Sequence, residues 1–184
     1  RGGKEYKMSF VGGKKRGKLE VVGKVGKTNT GTTIRFLPDE QYFDTTKLSI
    51  KSMKNALKAK AVLCPGLKVT LKVEKPKEKV EWQYEGGLEQ YLLETIGGGE
   101  TLPAEPFSGS LTGNNEAVDW ALVWTSDGGP SVTESYVNLI PTPQGGTHVN
   151  GLLTGLTNSL REFCDFRSLL PRGVAIAPED VWDG

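Results

Sequence analysis

Cysteine and histidine are nearly missing from this 184-residue sequence: Cys64 and Cys164 are the only thiols and His148 the only imidazole. Two cysteines a hundred positions apart exclude a disulfide scaffold and fit a reducing cytoplasm, where buried thiols serve as small hydrophobes. One histidine cannot build a zinc cage, and the cysteines lack ligand spacing. Long apolar runs are missing too. No stretch reaches the roughly 18 consecutive apolar residues of a membrane helix. No secretory apolar segment is present either, so no membrane partner is expected. What remains, 36% hydrophobic and 24% charged side chains, describes a soluble globular chain with room for one large domain or two small ones.

The formal net charge of +1 conceals an asymmetry. Residues 1–79 hold 20 basic and 7 acidic residues, a balance of +13, whereas residues 80–184 hold 3 and 15, a balance of −12. Such a split fits a basic half that meets a polyanion, or halves that meet each other or a partner. It fits a solvated surface equally well.

Periodicity predicts an α+β fold. The chain opens at Arg1 with strand-like alternation over residues 5–11, as expected of an excised piece of a longer protein. Gly12–Gly17 reads as a turn or mobile loop, and further strands are predicted over 19–25 and 32–36. A helix is predicted over 47–61, with Thr45 and Thr46 as caps and Pro65-Gly66 as its stop. On it, Ile50, Met53, Leu57 and Ala61 share an apolar face. Lys47, Lys51, Lys54 and Lys58 form a neighbouring positive stripe. Strands over 67–73 and 80–84 flank a solvated loop, and a short helix over 88–96 stops at three glycines. Strands are predicted over 107–111, 117–124 and 131–140. The longest helix covers 149–164, and a final helical turn opens at Pro178. A domain boundary is expected near residues 44–48, with strands alone before it and an α+β domain after it.

Two stretches come close to a phosphate loop. Gly12-x-x-x-x-Gly17-Lys18 ends in Leu19 where a Ser or Thr is required, and Gly23-x-x-Gly26-Lys27-Thr28 has Val21 in place of the first glycine. Neither has the strand–loop–helix setting that aims amides at phosphate. His148 caps or packs the start of the long helix more readily than it serves a triad, because no nucleophile elbow accompanies it. Glu116, Asp119 and Glu134 fall on predicted strands as ordinary outward charges, and no catalytic residue is expected. The lysine stripe, supported by Lys60, Lys68 and Lys72, either follows a phosphate backbone without reading sequence or is a solvated face. No aromatic RNA-binding signature is present, so duplex contact is favoured over single-strand stacking.

Longer stretches carry a family resemblance. Residues 30–39 (TGTTIRFLPD), 59–66 (AKAVLCPG), 116–122 (EAVDWAL), 134–142 (ESYVNLIPT), 145–151 (GGTHVNG) and 161–167 (REFCDFR) together resemble the B subunits of type IIA DNA topoisomerases, over nearly the whole chain. The 61–66 and 169–174 stretches lean toward the topoisomerase IV branch, with the gyrase branch as the close alternative. The resemblance implies that residues 1–44 are the last strands of a GHKL-type ATPase domain, incomplete. It implies that residues 45–184 are a transducer domain of the ribosomal S5 domain 2 type, truncated at its carboxyl end.

For the full-length protein the resemblance implies an ATP-hydrolysing, magnesium-dependent enzyme that couples nucleotide binding to double-strand DNA passage, decatenation and relaxation. Its expected partners are double-stranded DNA, the topoisomerase IV A subunit in a heterotetramer, and a second copy on ATP binding. Its expected location is the bacterial cytoplasm, on the nucleoid. Most nucleotide-site residues of the family have no counterpart here. Thr32 alone is implied to help hold adenine, so no ATP or Mg2+ is expected on this stretch by itself, nor ATPase activity. The resemblance also raises the duplex reading of the lysine stripe. A stand-alone S5-like nucleic-acid module and, more distantly, a hydrolase built on His148 are the rival readings.

Overall fold

The computed structural model describes residues 1–126 and 132–182. The chain divides into two compact units, Arg1–Ile50 and Lys51–Gly184.

The first unit is built on one nested hairpin. β1 (Lys4–Lys7) pairs antiparallel with β4 (Glu20–Lys24), and between them β2 (Phe10–Val11) pairs with β3 (Lys14–Lys15). Gly12 and Gly13, at φ 55° and 75°, close the tip in the left-handed conformation that two-residue hairpin turns require. The alternation that suggests one strand over 5–11 is broken at Met8 and Ser9, where the pairing shifts from β4 to β3. The strand predicted over 32–36 does not form. Residues 25–49 carry no strand, and Ile34, Phe36 and Leu37 are 80%, 69% and 91% exposed. An extended segment becomes a strand only when a neighbour takes its backbone hydrogen bonds, and none of the described strands lies beside it.

The second unit begins with α1 (Ile50–Leu63), which starts three residues later than predicted. Thr45 is occupied locally, its Oγ1 accepting from the Lys47 N–H at 3.2 Å, and so it caps a turn rather than the helix. β5 (Val69–Val73) and β6 (Glu78–Trp82) form a regular antiparallel pair, with Leu71 opposite Val80. α2 (Gly87–Ile96) ends on Gly97, whose left-handed backbone returns an N–H to the Leu93 carbonyl.

β7 (Thr101–Thr112) and β8 (Ala117–Thr125) form the longest ladder. The strand predicted over 131–140 is instead a short hairpin, β9 (Tyr136–Val137) and β10 (Ile140–Pro141). It turns through Asn138 and Leu139, both at positive φ; Ser131 lies outside the described residues. α3 (Thr147–Arg167) is the long helix, and α4 (Glu179–Trp182) follows as a single turn. The mixed helix-and-strand class agrees with the sequence reading.

The core is small. Ala61, Val62 and Tyr84 are buried together, with Val69, Trp82, Leu88 and Tyr91 packed around them, so the carboxyl end of α1 meets the β5–β6 pair and α2. A second packing centre joins the far end of β8 to α3 and α4. Trp124 stacks on Trp182, Trp124 Nε1 donates to the Val181 carbonyl at 2.8 Å, and Trp182 Nε1 donates to Thr157 Oγ1 at 3.0 Å. Cys64 and Cys164 are free thiols, half-buried rather than buried as expected. No described helix is long and apolar enough to cross a membrane.

Candidate nucleic-acid interface

The four lysines of the expected stripe differ in environment. Lys47 precedes α1 and belongs to the first unit, so the helical stripe reduces to Lys51, Lys54 and Lys58. Lys51 is exposed and makes no ion pair with a described residue. Lys54 Nζ reaches Glu78 Oε1 at 2.5 Å. Lys58 Nζ lies 3.6 Å from Glu94 Oε1 and 5.0 Å from the centre of the Tyr91 ring. Both lysine side chains keep about a third of their surface (33% and 32%), and surface bridges of this kind are worth about 0–1 kcal/mol, so a stronger anion can displace the carboxylates.

The supporting lysines also differ. Lys60 is spent on the fold, donating to the Leu139 carbonyl at the β9–β10 turn. Lys68 and Lys79 converge on Glu81 at 3.5 and 3.2 Å. With Thr70 donating to the same carboxylate, the Lys79 and Thr70 bonds hold the Glu81 carboxyl below its ordinary pKa. Lys72 stays exposed.

Behind α1 lies a network of phenols and carboxylates that the sequence did not announce. Tyr84 donates to Glu94 at 2.8 Å, and burial, reinforced by that carboxylate, pushes its pKa up. Tyr91 and Tyr136 both donate to Glu134, at 2.9 and 2.7 Å, and both phenols are raised first by burial and then by Glu134. Glu134 is therefore not an idle strand charge. It sits on irregular chain before β9 and joins α2 to the hairpin. Tyr136, two positions on, was the one signal available; Tyr91 is 43 positions away.

His148, the second residue of α3, accepts or donates to Thr142 Oγ1 at 3.3 Å, and Thr142 is bonded in turn to Ser135. The imidazole pins the residue after β10 to the start of α3. It has no carboxylate partner among the described residues, so a triad is not assembled around it. Glu116 lies in the β7–β8 turn region and Asp119 opposite Ser110.

Thr32 lies on exposed irregular chain, and its hydroxyl makes no bond to a described residue. No group of three or more His, Cys, Asp or Glu side chains among the described residues could hold a metal ion. The residues described thus do not fit ATP or Mg2+ as a preorganised site, which needs several groups fixed together.

The family model for DNA gyrase B matches residues 87–184. The B subunit of DNA topoisomerase 4 from Pseudomonas aeruginosa is 58% identical over 179 residues, covering 97% of this chain and 28% of that protein. Its counterpart of the same name from Escherichia coli is 52% identical over 183 residues, 100% of this chain and 29% of that protein. The chain therefore spans less than a third of the length of these relatives. Among solved structures, the topoisomerase IV ATP-binding domain of Francisella tularensis, in complex with a small-molecule inhibitor, superposes with a TM-score of 0.81 at 39% identity. That match covers 100% of this chain and 49% of that one. The 43K ATPase domain of Thermus thermophilus gyrase B, in complex with an aminocoumarin, gives 0.79 at 24% identity over 99% and 50%, a likeness of fold. With more than half of its residues under one family model, and with relatives of that kind along its whole length, the chain belongs to the DNA gyrase B family of type II topoisomerase B subunits.

Proposed function

We propose that the chain is part of an ATP-dependent type II DNA topoisomerase of the topoisomerase IV kind, one that couples nucleotide binding to duplex passage, decatenation and relaxation. The 58% identity across nearly the whole chain carries this reading. In it, residues 1–44 are the closing strands of a GHKL-type ATPase domain, Thr32 among them, and residues 45–184 are an S5-like transducer. The chain contributes mechanical coupling rather than bond chemistry. ATP, Mg2+, the A subunit and a second B subunit engage the full-length protein.

Within the transducer, Lys51 is the leading phosphate contact on α1, and Lys54 and Lys58 join it by exchanging their carboxylate partners for phosphate. Lys47 contacts DNA from the segment that precedes α1. The gyrase B match over residues 87–184 favours a second reading, in which the parent enzyme supercoils.

The test uses the complete subunit with its A partner on supercoiled and catenated DNA, with and without ATP. ATP-dependent decatenation without negative supercoiling is expected. ATP-driven negative supercoiling would move the chain to the gyrase branch, and failure of both in a folded mixture would overturn the topoisomerase reading.

A further inference from the structure

The first 27 residues hold nine basic and two acidic side chains, a balance of +7, and every one of the nine is exposed. None is ion-paired to a described residue; the described salt bridges all lie between Lys54 and Glu94. The nested hairpin concentrates this charge. Lys4 stands directly opposite Lys24 in the β1–β4 ladder, a like-charge pairing that costs stability unless an anion meets it.

At the other end, Lys14 and Lys15 leave the Gly12-Gly13 turn on successive strand positions, followed by Arg16 and Lys18. Successive strand side chains point to opposite faces, so both faces of the tip are cationic. The Arg16 N–H donates to the Ser9 carbonyl at 2.8 Å and prolongs the pairing below the tip. The result is a two-stranded ribbon with a basic end. A two-stranded β-ribbon is narrow enough to enter a duplex major groove, about 12 Å wide, with lysines and arginines reaching phosphates on either side.

We propose that this ribbon is a second duplex-binding surface, separate from α1, engaging the DNA phosphate backbone through Lys14, Lys15, Arg16 and Lys18. It rests on the duplex-DNA reading above. The ribbon contributes affinity without base preference, and its binding is steeply salt-dependent.

The test measures affinity of the 184-residue chain for a short DNA duplex, by fluorescence anisotropy, across a salt series. Three chains are compared: the parent, a ribbon variant (Lys14→Gln, Lys15→Gln, Arg16→Gln, Lys18→Gln) and an α1 variant (Lys51→Gln, Lys54→Gln, Lys58→Gln). Each phosphate that is no longer neutralised flattens the log–log salt slope by about 0.9, so the ribbon variant is expected to flatten it by roughly 2–4 and to bind at least about tenfold more weakly at low salt. Replacing Lys14, Lys15 and Lys18 by Arg should restore binding, which a folding defect would not allow.

Duplex binding by the parent that the ribbon variant leaves intact would overturn this proposal while leaving the duplex reading in place. No duplex binding by the parent at low salt would overturn both. Phe10, 58% exposed opposite Lys15, is the reason to repeat the series with single-stranded RNA and DNA. Tenfold tighter binding of either would replace the duplex by a stacked single strand.

Discussion

Gly109 and Trp120 face each other across β7 and β8, and the indole fills the volume that any side chain at position 109 would need. A Cβ on Gly109 would overlap three ring atoms of Trp120, so glycine is required there for space rather than for backbone freedom. Gly109→Ala is expected to destabilise the fold by about 1–3 kcal/mol, the usual cost of overpacking. Urea denaturation followed by tryptophan fluorescence reads it. An alanine variant as stable as the parent would mean that the indole has another place to go.

The Thr157 hydroxyl joins two parts of the second packing centre. It accepts from Trp182 Nε1 and donates to the Leu153 carbonyl at 2.8 Å, on a residue only 2% exposed. Thr157→Val keeps the volume and strands the indole N–H, at an expected cost of about 1–3 kcal/mol. Thr157→Ser should recover part of it. Equal denaturation midpoints for the valine variant and the parent would show the hydroxyl to be dispensable.

Alkaline pH should act through the buried Tyr84 and the half-buried Tyr136. Tyr84 and Tyr136 are raised by burial and by their carboxylate neighbours. In the unfolded chain they ionise near the ordinary value of about 10. Their contribution to stability is therefore complete below about pH 10 and is lost as pH climbs from there toward the folded-state values. Thermal midpoints taken between pH 8 and 11 should fall more steeply for the parent than for the Tyr84→Phe, Tyr136→Phe double variant. Parallel curves would assign the alkaline loss to other groups.

The Lys54–Glu78 contact offers a contrast, short in distance yet open to solvent. Lys54→Gln is expected to change folding stability by no more than about 1 kcal/mol, and less in high salt. A loss of several kcal/mol in a salt titration would make it a structural pair and remove Lys54 from the proposed DNA surface.

Local periodicity makes most of the second unit legible. The spacing of Val149, Leu152, Leu153, Leu156 and Leu160 fixes α3 because a helix buries one face whatever lies against it. The alternating valines and leucines of β5 pair with β6 next along the chain, so no distant partner is needed to define them. The segment from Thr32 to Phe36 misleads for the opposite reason: its alternation is strand-like, but a strand exists only with a neighbour, and the described residues supply none. Spacing alone places the start of α1 three residues too early and so adds Lys47 to the stripe, because Thr45 bonds within its own turn and the helix does not begin there. The Tyr91–Glu134 bond and the Trp124–Trp182 stack are out of reach, since their partners lie 43 and 58 positions apart and no local pattern encodes them.

The placement of α4 sets a load path. Trp182 grips Thr157 on α3 by one bond and stacks at a 30° tilt on Trp124 of β8, while Arg161 Nε holds the Ile176 carbonyl at 2.6 Å just upstream. Tension on this short turn is thus divided between a helix and a sheet instead of peeling one contact at a time. The long helix and the β7–β8 ladder would be drawn along together, as two plates held by one rivet.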